Sequence, residues 1–123
     1  MGLDVLVVDS CTERRGTYVK RLAALGWSVQ STGSAVEALR LLAEGGPALV
    51  LTYSSVDGHS FHEFAEAIKR VRPEAELVVY FDPARPGGPK GLDDPYVDDW
   101  FPSWDAGAMA ASLVGRLSGK ASA

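Results

Sequence analysis

The chain has 123 residues, a net charge of −4 at neutral pH, and 46% hydrophobic and 23% charged residues, the make-up of one globular domain able to bury its own core. Its longest apolar runs are four or five residues, far short of the ~20 that span a bilayer, and no basic segment precedes the first of them, so neither a membrane span nor a secretory leader is expected. Five aspartates and no base fall within residues 92–105, which argues against nucleic acid as a partner of this domain, since such binding needs a positive footprint.

Residues 3–8 (LDVLVV) hold three valines and read as a strand buried on both faces. Ser10 and Glu13 have the spacing of a capping box. The helix they open runs to about Leu25, with Tyr18, Leu22 and Leu25 inward and Gly26 as its stop. Residues 27–31 read as a second strand. Ser34 and Glu37 form a second capping box, opening a helix with Val36, Leu39 and Leu42 inward and Gly45-Gly46 at its end. Residues 48–52 are a third strand, followed by a short polar loop closing on Asp57-Gly58. Ser60 and Glu63 form a third box, and Phe61, Phe64, Ile68 and Val71 give the next helix its buried stripe. That helix ends at Arg72-Pro73, because the residue before proline is pushed out of helical geometry. Residues 77–81 are a fourth strand. The next fourteen residues, DPARPGGPKGLDDP, contain four prolines and three glycines, a composition that rules against a stable helix. Residues 96–101 read as a fifth strand and 105–117 as a last amphipathic helix with Met109, Leu113 and Leu117 aligned. The tail SGKASA is expected to fray. The basic clusters Arg14-Arg15, Lys20-Arg21 and KRVR at 69–72 fall on these helices and read as solvated faces.

Short strands alternating with helices imply right-handed crossovers and a parallel sheet. Five strands in one small domain fit the α/β, flavodoxin-like doubly wound order 2-1-3-4-5, with helices on both faces. Function in such sheets gathers at the carboxyl ends of the strands, here Asp9, Ser10, Tyr53, Phe81 and Ser103. The side chains nearby carry little independent chemistry. Ser10 reads as a helix cap and Asp57 as a turn residue. His59 and His62, near Glu63 and Glu66, lack the third well-placed ligand that a metal site needs. Cys11 is the lone cysteine and cannot form an internal disulfide, which fits a reducing, cytoplasmic setting. No metal, cofactor or enzymatic activity is expected.

Several segments in the right order resemble the receiver (CheY-like) domain of bacterial response regulators. VLVVDS is similar to that family's first strand and acidic pair. LGWSVQSTGSAVEALRLL is similar to its second strand and helix, PALVLTY to the strand bearing the phosphoacceptor, VDG to the loop after it, and YVDDWFPSW to the fifth strand and following turn. The resemblance covers nearly the whole chain, and implies a receiver-like domain over residues 1–119, with 120–123 a tail or the start of a linker. It also implies where the phosphorylation chemistry would lie. Of the two acids that hold Mg²⁺ in the family, Asp9 remains and the second is Ser10. The acceptor aspartate is replaced by Tyr53, the Ser or Thr hydroxyl by Phe81, and the lysine by Ser103. The loop between Tyr53 and Asp57-Gly58 is about three residues shorter than the family's and lacks its proline.

The implied protein is a degenerate pseudo-receiver that cannot be phosphorylated, with the rings of Tyr53 and Phe81 filling the vacated pocket. It is expected to act as a signalling adaptor or regulatory module through protein–protein contact. The expected contact surface is Asp98, Asp99, Trp100, Phe101 and Trp104, an aromatic and acidic patch suited to a partner presenting basic and apolar side chains. The family's fourth helix is replaced here by the Pro/Gly-rich stretch, so its usual signalling face is remodelled. Competing readings are the regulatory domain of a transcription factor and a small-ligand sensor in which that stretch forms a lid.

Overall fold

Valine, leucine and isoleucine runs without polar alternation belong in strands covered on both sides, and three such runs form the centre of the sheet. The computed structural model describes residues 4–56, 59–82, 95–102, 107, 110 and 111. In chain order the elements are β1 (Asp4–Val8), α1 (Thr12–Ala24), β2 (Ser28–Thr32), α2 (Ala35–Ala43), β3 (Leu49–Tyr53), β4 (Ser55–Val56), β5 (His59–Ser60), α3 (Phe61–Val71), β6 (Glu76–Phe81) and β7 (Asp99–Pro102). The five-stranded sheet has the order β2-β1-β3-β6-β7, and every pairing in it is parallel. Counting only these strands, the order is 2-1-3-4-5, as the sequence implied. Strands β1, β3 and β6 are central and almost wholly buried, whereas the edge strand β2 is exposed or half-buried along its length.

The period-two alternation of strands divides the core into two layers. Val5, Val7, Leu49, Leu51, Tyr53, Val78 and Tyr80 face α1, where they meet Tyr18, Leu22 and Trp27. Leu6, Val8, Val50, Leu77 and Val79 face the other way, against Ala35, Ala38 and Leu42 of α2 and Phe64, Ala65 and Ile68 of α3. This division decides which strand-end side chains share a site.

Both early helices stop as their glycines require. Gly26 and Gly45 adopt positive φ (85° and 89°). The paired bonds Gly26 N–H to Ala23 O with Trp27 N–H to Leu22 O, and Gly45 N–H to Leu42 O with Gly46 N–H to Leu41 O, are those of Schellman ends. The helix starts differ from expectation. The N-cap of α1 is Cys11, which makes no side-chain capping bond, so the helix starts one residue later than a Ser10 cap would place it. At α2 only half the second box exists: Ser34 Oγ accepts from Glu37 N–H at 3.2 Å, but the Glu37 carboxylate turns to Arg40. The third box falls at Ser60, whose side chain lies outside the described residues.

Three residues assigned inward point out instead. Leu25 is 55% exposed because α1 has already ended at Ala24, and Trp27 takes its place in the core. Val36 is 77% exposed because the buried stripe of α2 is Ala35, Ala38 and Leu42. Val71, the last residue of α3, is also exposed. Strand β7 begins three residues later than expected, at Asp99. Asp98 N–H donates to Leu77 O at 2.8 Å and the Asp98 carboxylate accepts from Leu77 N–H at 2.7 Å, so a side chain takes a place the ladder would otherwise fill. The polar loop after β3 contains a small antiparallel hairpin, β4 with β5, which the sequence did not suggest and which leads directly into α3.

Of the expected last helix, Gly107, Ala110 and Ala111 are described and are helical, and Ala110 packs on the α1 side of the sheet. The Pro/Gly-rich stretch from 83 to 94 and the tail lie outside the described residues. Among the described residues no helix is long and apolar enough to cross a membrane.

Candidate functional site

At the carboxyl end of β1, Asp9 is fully buried. Its N–H donates to Thr32 O at 3.1 Å, extending the β1–β2 ladder by one residue, so the carboxylate is fixed at the mouth of the α1 layer. Each of its oxygens accepts two hydrogen bonds. Oδ1 accepts from Cys11 N–H at 2.9 Å and Arg14 Nη2 at 2.8 Å. Oδ2 accepts from Arg14 Nε at 2.6 Å and the Tyr80 hydroxyl at 2.8 Å. The guanidinium thus grips the carboxylate as a two-pronged fork, the strongest common form of ion pair. Arg15 adds a clamp from the next position, donating from Nη1 to the Asp9 main-chain oxygen at 2.7 Å. Gly33 makes room for it: a Cβ there would lie 2.6 Å from that nitrogen.

Beneath the ion pair lie three tyrosines. The Arg14 guanidinium carbon is 3.5 Å from the centroid of the Tyr53 ring, a cation–π contact. Tyr53 is 5.7 Å from Tyr80 by ring centroids, and Tyr80 stacks on Tyr18 at 4.2 Å. Burial, together with the Asp9 charge and the bond to it, pushes the Tyr80 hydroxyl far above the ordinary phenol range. Tyr80 is therefore a neutral donor at physiological pH. Burial opposes the charge on Arg14, but the bond to Asp9 and its charge outweigh this and hold the guanidinium above its usual value. One anion faces one cation, with a neutral phenol completing the site.

The five strand-end residues assigned from the sequence meet different fates. Asp9 and Tyr53 are brought together, bridged by Arg14. Ser10 is exposed at the rim. Phe81 is half-buried and, one residue beyond Tyr80 on β6, points to the opposite side of the strand. The ring beside Tyr53 that reaches Asp9 is Tyr80, where Phe81 had been expected. Ser103 lies outside the described residues, as does Trp104.

The expected contact patch is divided. Trp100 packs against the α2–α3 layer and Phe101 against the α1 layer. Asp98 is engaged within its own chain, accepting from Lys69 Nζ at 2.8 Å as well as from Leu77 N–H. Asp99 Oδ1 accepts from Trp100 N–H at 2.9 Å.

Two basic clusters are likewise more than solvated faces. Arg14 keeps 30% of its side chain exposed and Lys69 only 20%. Arg14 and Arg15 read from the sequence only as a solvated basic cluster, and Tyr80 only as part of the fourth strand. The available signal was electrostatic: Arg14 and Arg15 follow Thr12 closely in α1, where a positive charge opposes the helix dipole unless an anion compensates it.

No family model and no curated protein matches the sequence. Solved structures do. A CheY-like response regulator receiver domain from Methanospirillum hungatei superposes with a TM-score of 0.82 at 15% identity, covering 99% of this chain and 98% of that one. The fold is that of a receiver domain. The signal receiver domain of an HD domain-containing protein from Pseudomonas fluorescens gives a TM-score of 0.80 at 17% identity, with 100% of both chains covered. NtrX from Brucella abortus gives 0.75 at 19%, covering 99% of this chain and 29% of that one.

The receiver fold implies a divalent cation at the acidic end of β1, and the residues here do not fit one. Magnesium takes a near-octahedral set of oxygen ligands and usually draws on carboxylates plus phosphate oxygens. The Asp9 carboxylate already holds four donors. Among the described residues no three His, Cys, Asp or Glu side chains come together.

Proposed function

We propose that this chain is a pseudo-receiver: a receiver-like regulatory module, without enzymatic activity, that does not accept a phosphoryl group and works through protein–protein contact. One observation carries the reading. The carboxylate at the end of β1 is neutralised and saturated by Arg14, Cys11 N–H and Tyr80, while the acceptor position holds the buried ring of Tyr53. Phosphoryl transfer rests on a positioned nucleophile and on electrostatic stabilisation of the transferred group; here the acceptor position holds a buried ring, and the guanidinium over it is already committed to Asp9. The setting that suits such a module is the cytoplasm of a bacterial cell, in a two-component signalling system.

The contact surface is proposed along β7, centred on Asp99, Trp100 and Phe101, and extending to Trp104. Asp98 is better understood as a tie between β6, α3 and β7. A partner with basic and apolar side chains complements this edge strand. A second reading, the regulatory domain of a longer protein such as a transcription factor, is favoured by the NtrX match, in which a unit of this fold occupies under a third of the chain. Sequence encoded beyond Ala123 separates the two.

The chemical reading is tested by incubating the protein with acetyl phosphate and Mg²⁺ and measuring its intact mass. The unmodified mass is expected. A stable added phosphoryl group would overturn the proposal.

A further inference from the structure

Arg14 occupies a position that is poor for an arginine on local grounds. It lies in the first turn of α1, where unbonded N–H groups already present positive charge. Its side chain does not escape to solvent. It folds back over the ring of Tyr53 and closes both prongs on Asp9, so that Asp9 is fully buried while the Arg14 side chain remains 30% exposed. Arg14 is thus the partly exposed partner of a carboxylate that is itself shut off from water.

We propose that Arg14 is a tethered counter-ion: it holds the place at Asp9 that a dissolved divalent cation holds in a phosphorylatable site, and closes that place by occupying it. This rests on the pseudo-receiver reading but goes further. Loss of ligands alone would leave a weak metal site, whereas occupation leaves none.

The two mechanisms differ physically. A tethered cation competes at the high effective concentration set by its short linkage, and an entering ion would have to break two charge-assisted bonds at once. Displaced, Arg14 would also give up its contact with the Tyr53 ring. Restoring the missing acids therefore does not reopen the site by itself. An aspartate at position 53 would stand under the same guanidinium, which lies 3.5 Å above the present ring, and Arg14 would pair with both acids. Only when Arg14 is also neutralised do three carboxylates face one another without a cation, the arrangement that repels itself and draws in a divalent ion.

The experiment compares three full-length variants: Ser10→Asp/Tyr53→Asp, the same with Arg14→Gln, and the same with Arg14→Lys. Circular dichroism establishes that each is folded, and Mn²⁺ is titrated against tryptophan fluorescence and thermal midpoint. Manganese binding at least tenfold tighter in the Gln triple variant than in the double variant is expected, with the Lys triple variant close to the double variant because it keeps the charge. Equal affinity in the double and Gln variants, including no binding by either, would overturn the proposal, as would a Lys variant that binds as tightly as the Gln variant. Should Arg14→Gln prevent folding, the Lys variant and the double variant still decide the matter: tight manganese binding by either, with the cation retained, refutes occupation. Phosphorylation of the wild-type protein by acetyl phosphate would instead remove the functional reading, so the two failures are distinguishable.

Discussion

Tyr80→Phe removes one oxygen and leaves the ring stack in place. The lost hydroxyl donates to Asp9 Oδ2 at 2.8 Å, and both residues are fully buried. No water can take its place without repacking. A hydrogen bond to a charged group contributes about 1.5–3 kcal/mol, so the variant should be less stable by about 2 kcal/mol. In a domain of this size that corresponds to a fall of roughly 6–12 °C in Tm. Urea unfolding followed by tryptophan fluorescence should show a lower midpoint with an unchanged slope.

The pH dependence supplies a sharper check on the same bond. The folded protein holds the Tyr80 proton far more tightly than the unfolded chain does. The contribution is therefore complete below the unfolded phenol pKa of about 10 and is lost as pH rises above it toward the folded value. The stability gap between wild type and Tyr80→Phe should stay constant from pH 6 to 9, as measured over that interval, and then narrow by about 1.4 kcal/mol per pH unit above about 10. A variant as stable as wild type at neutral pH, or a gap that widens in alkali, would refute the assigned role of Tyr80.

Two further substitutions test the architecture around the site. Asp98→Ala removes the carboxylate that accepts from both Leu77 N–H and Lys69 Nζ; a loss of about 2 kcal/mol is expected, with faster hydrogen exchange at the Leu77 amide as the local readout. Val36→Asp, at a position 77% exposed on α2, should change stability by no more than about 0.5 kcal/mol in chemical denaturation, which would bear out that the buried face of that helix runs through Ala35, Ala38 and Leu42.

The sheet was legible because its signals are redundant. Valine-rich runs, glycines at helix ends and the proline after Arg72 each mark boundaries independently, and β1, β2, β3 and β6 fall within a residue or so of expectation. Strand β7 shifted because Asp98 caps Leu77 through its side chain, an event with no periodic trace. The site was legible only by position. Asp9 and Tyr53 stand at the ends of adjacent paired strands, β1 and β3, and could be named from strand order alone. Choosing between Tyr80 and Phe81 required knowing which of two consecutive aromatics faces α1, a one-residue register that the run LVVYF does not encode. The basic pair was assigned to solvent by composition, although its place in the first turn of α1 was itself the anomaly.

A switch needs two states with an equilibrium that some ligand biases by binding one of them better. At the carboxyl end of β1 both oxygens of Asp9 are filled by donors from the chain itself, and the space beside them is taken by stacked rings. On the proposed reading, neither a metal ion nor a phosphoryl group has a differential contact to make there, because the favourable contacts are already present in the resting protein. The device is set at folding. What the module conveys would then depend on whether it and its partner are present together, and the face along β7 would be available to that partner at all times. The ion pair has a structural consequence as well. Removing either member strands a buried or half-buried charge, a change that commonly destabilises by several kcal/mol. Substituting Arg14 and Asp9 together should therefore cost less stability than substituting either alone. A double replacement by well-packed apolar residues should fold better than either single variant, and failure of that rescue would mean the pair contributes more than mutual neutralisation.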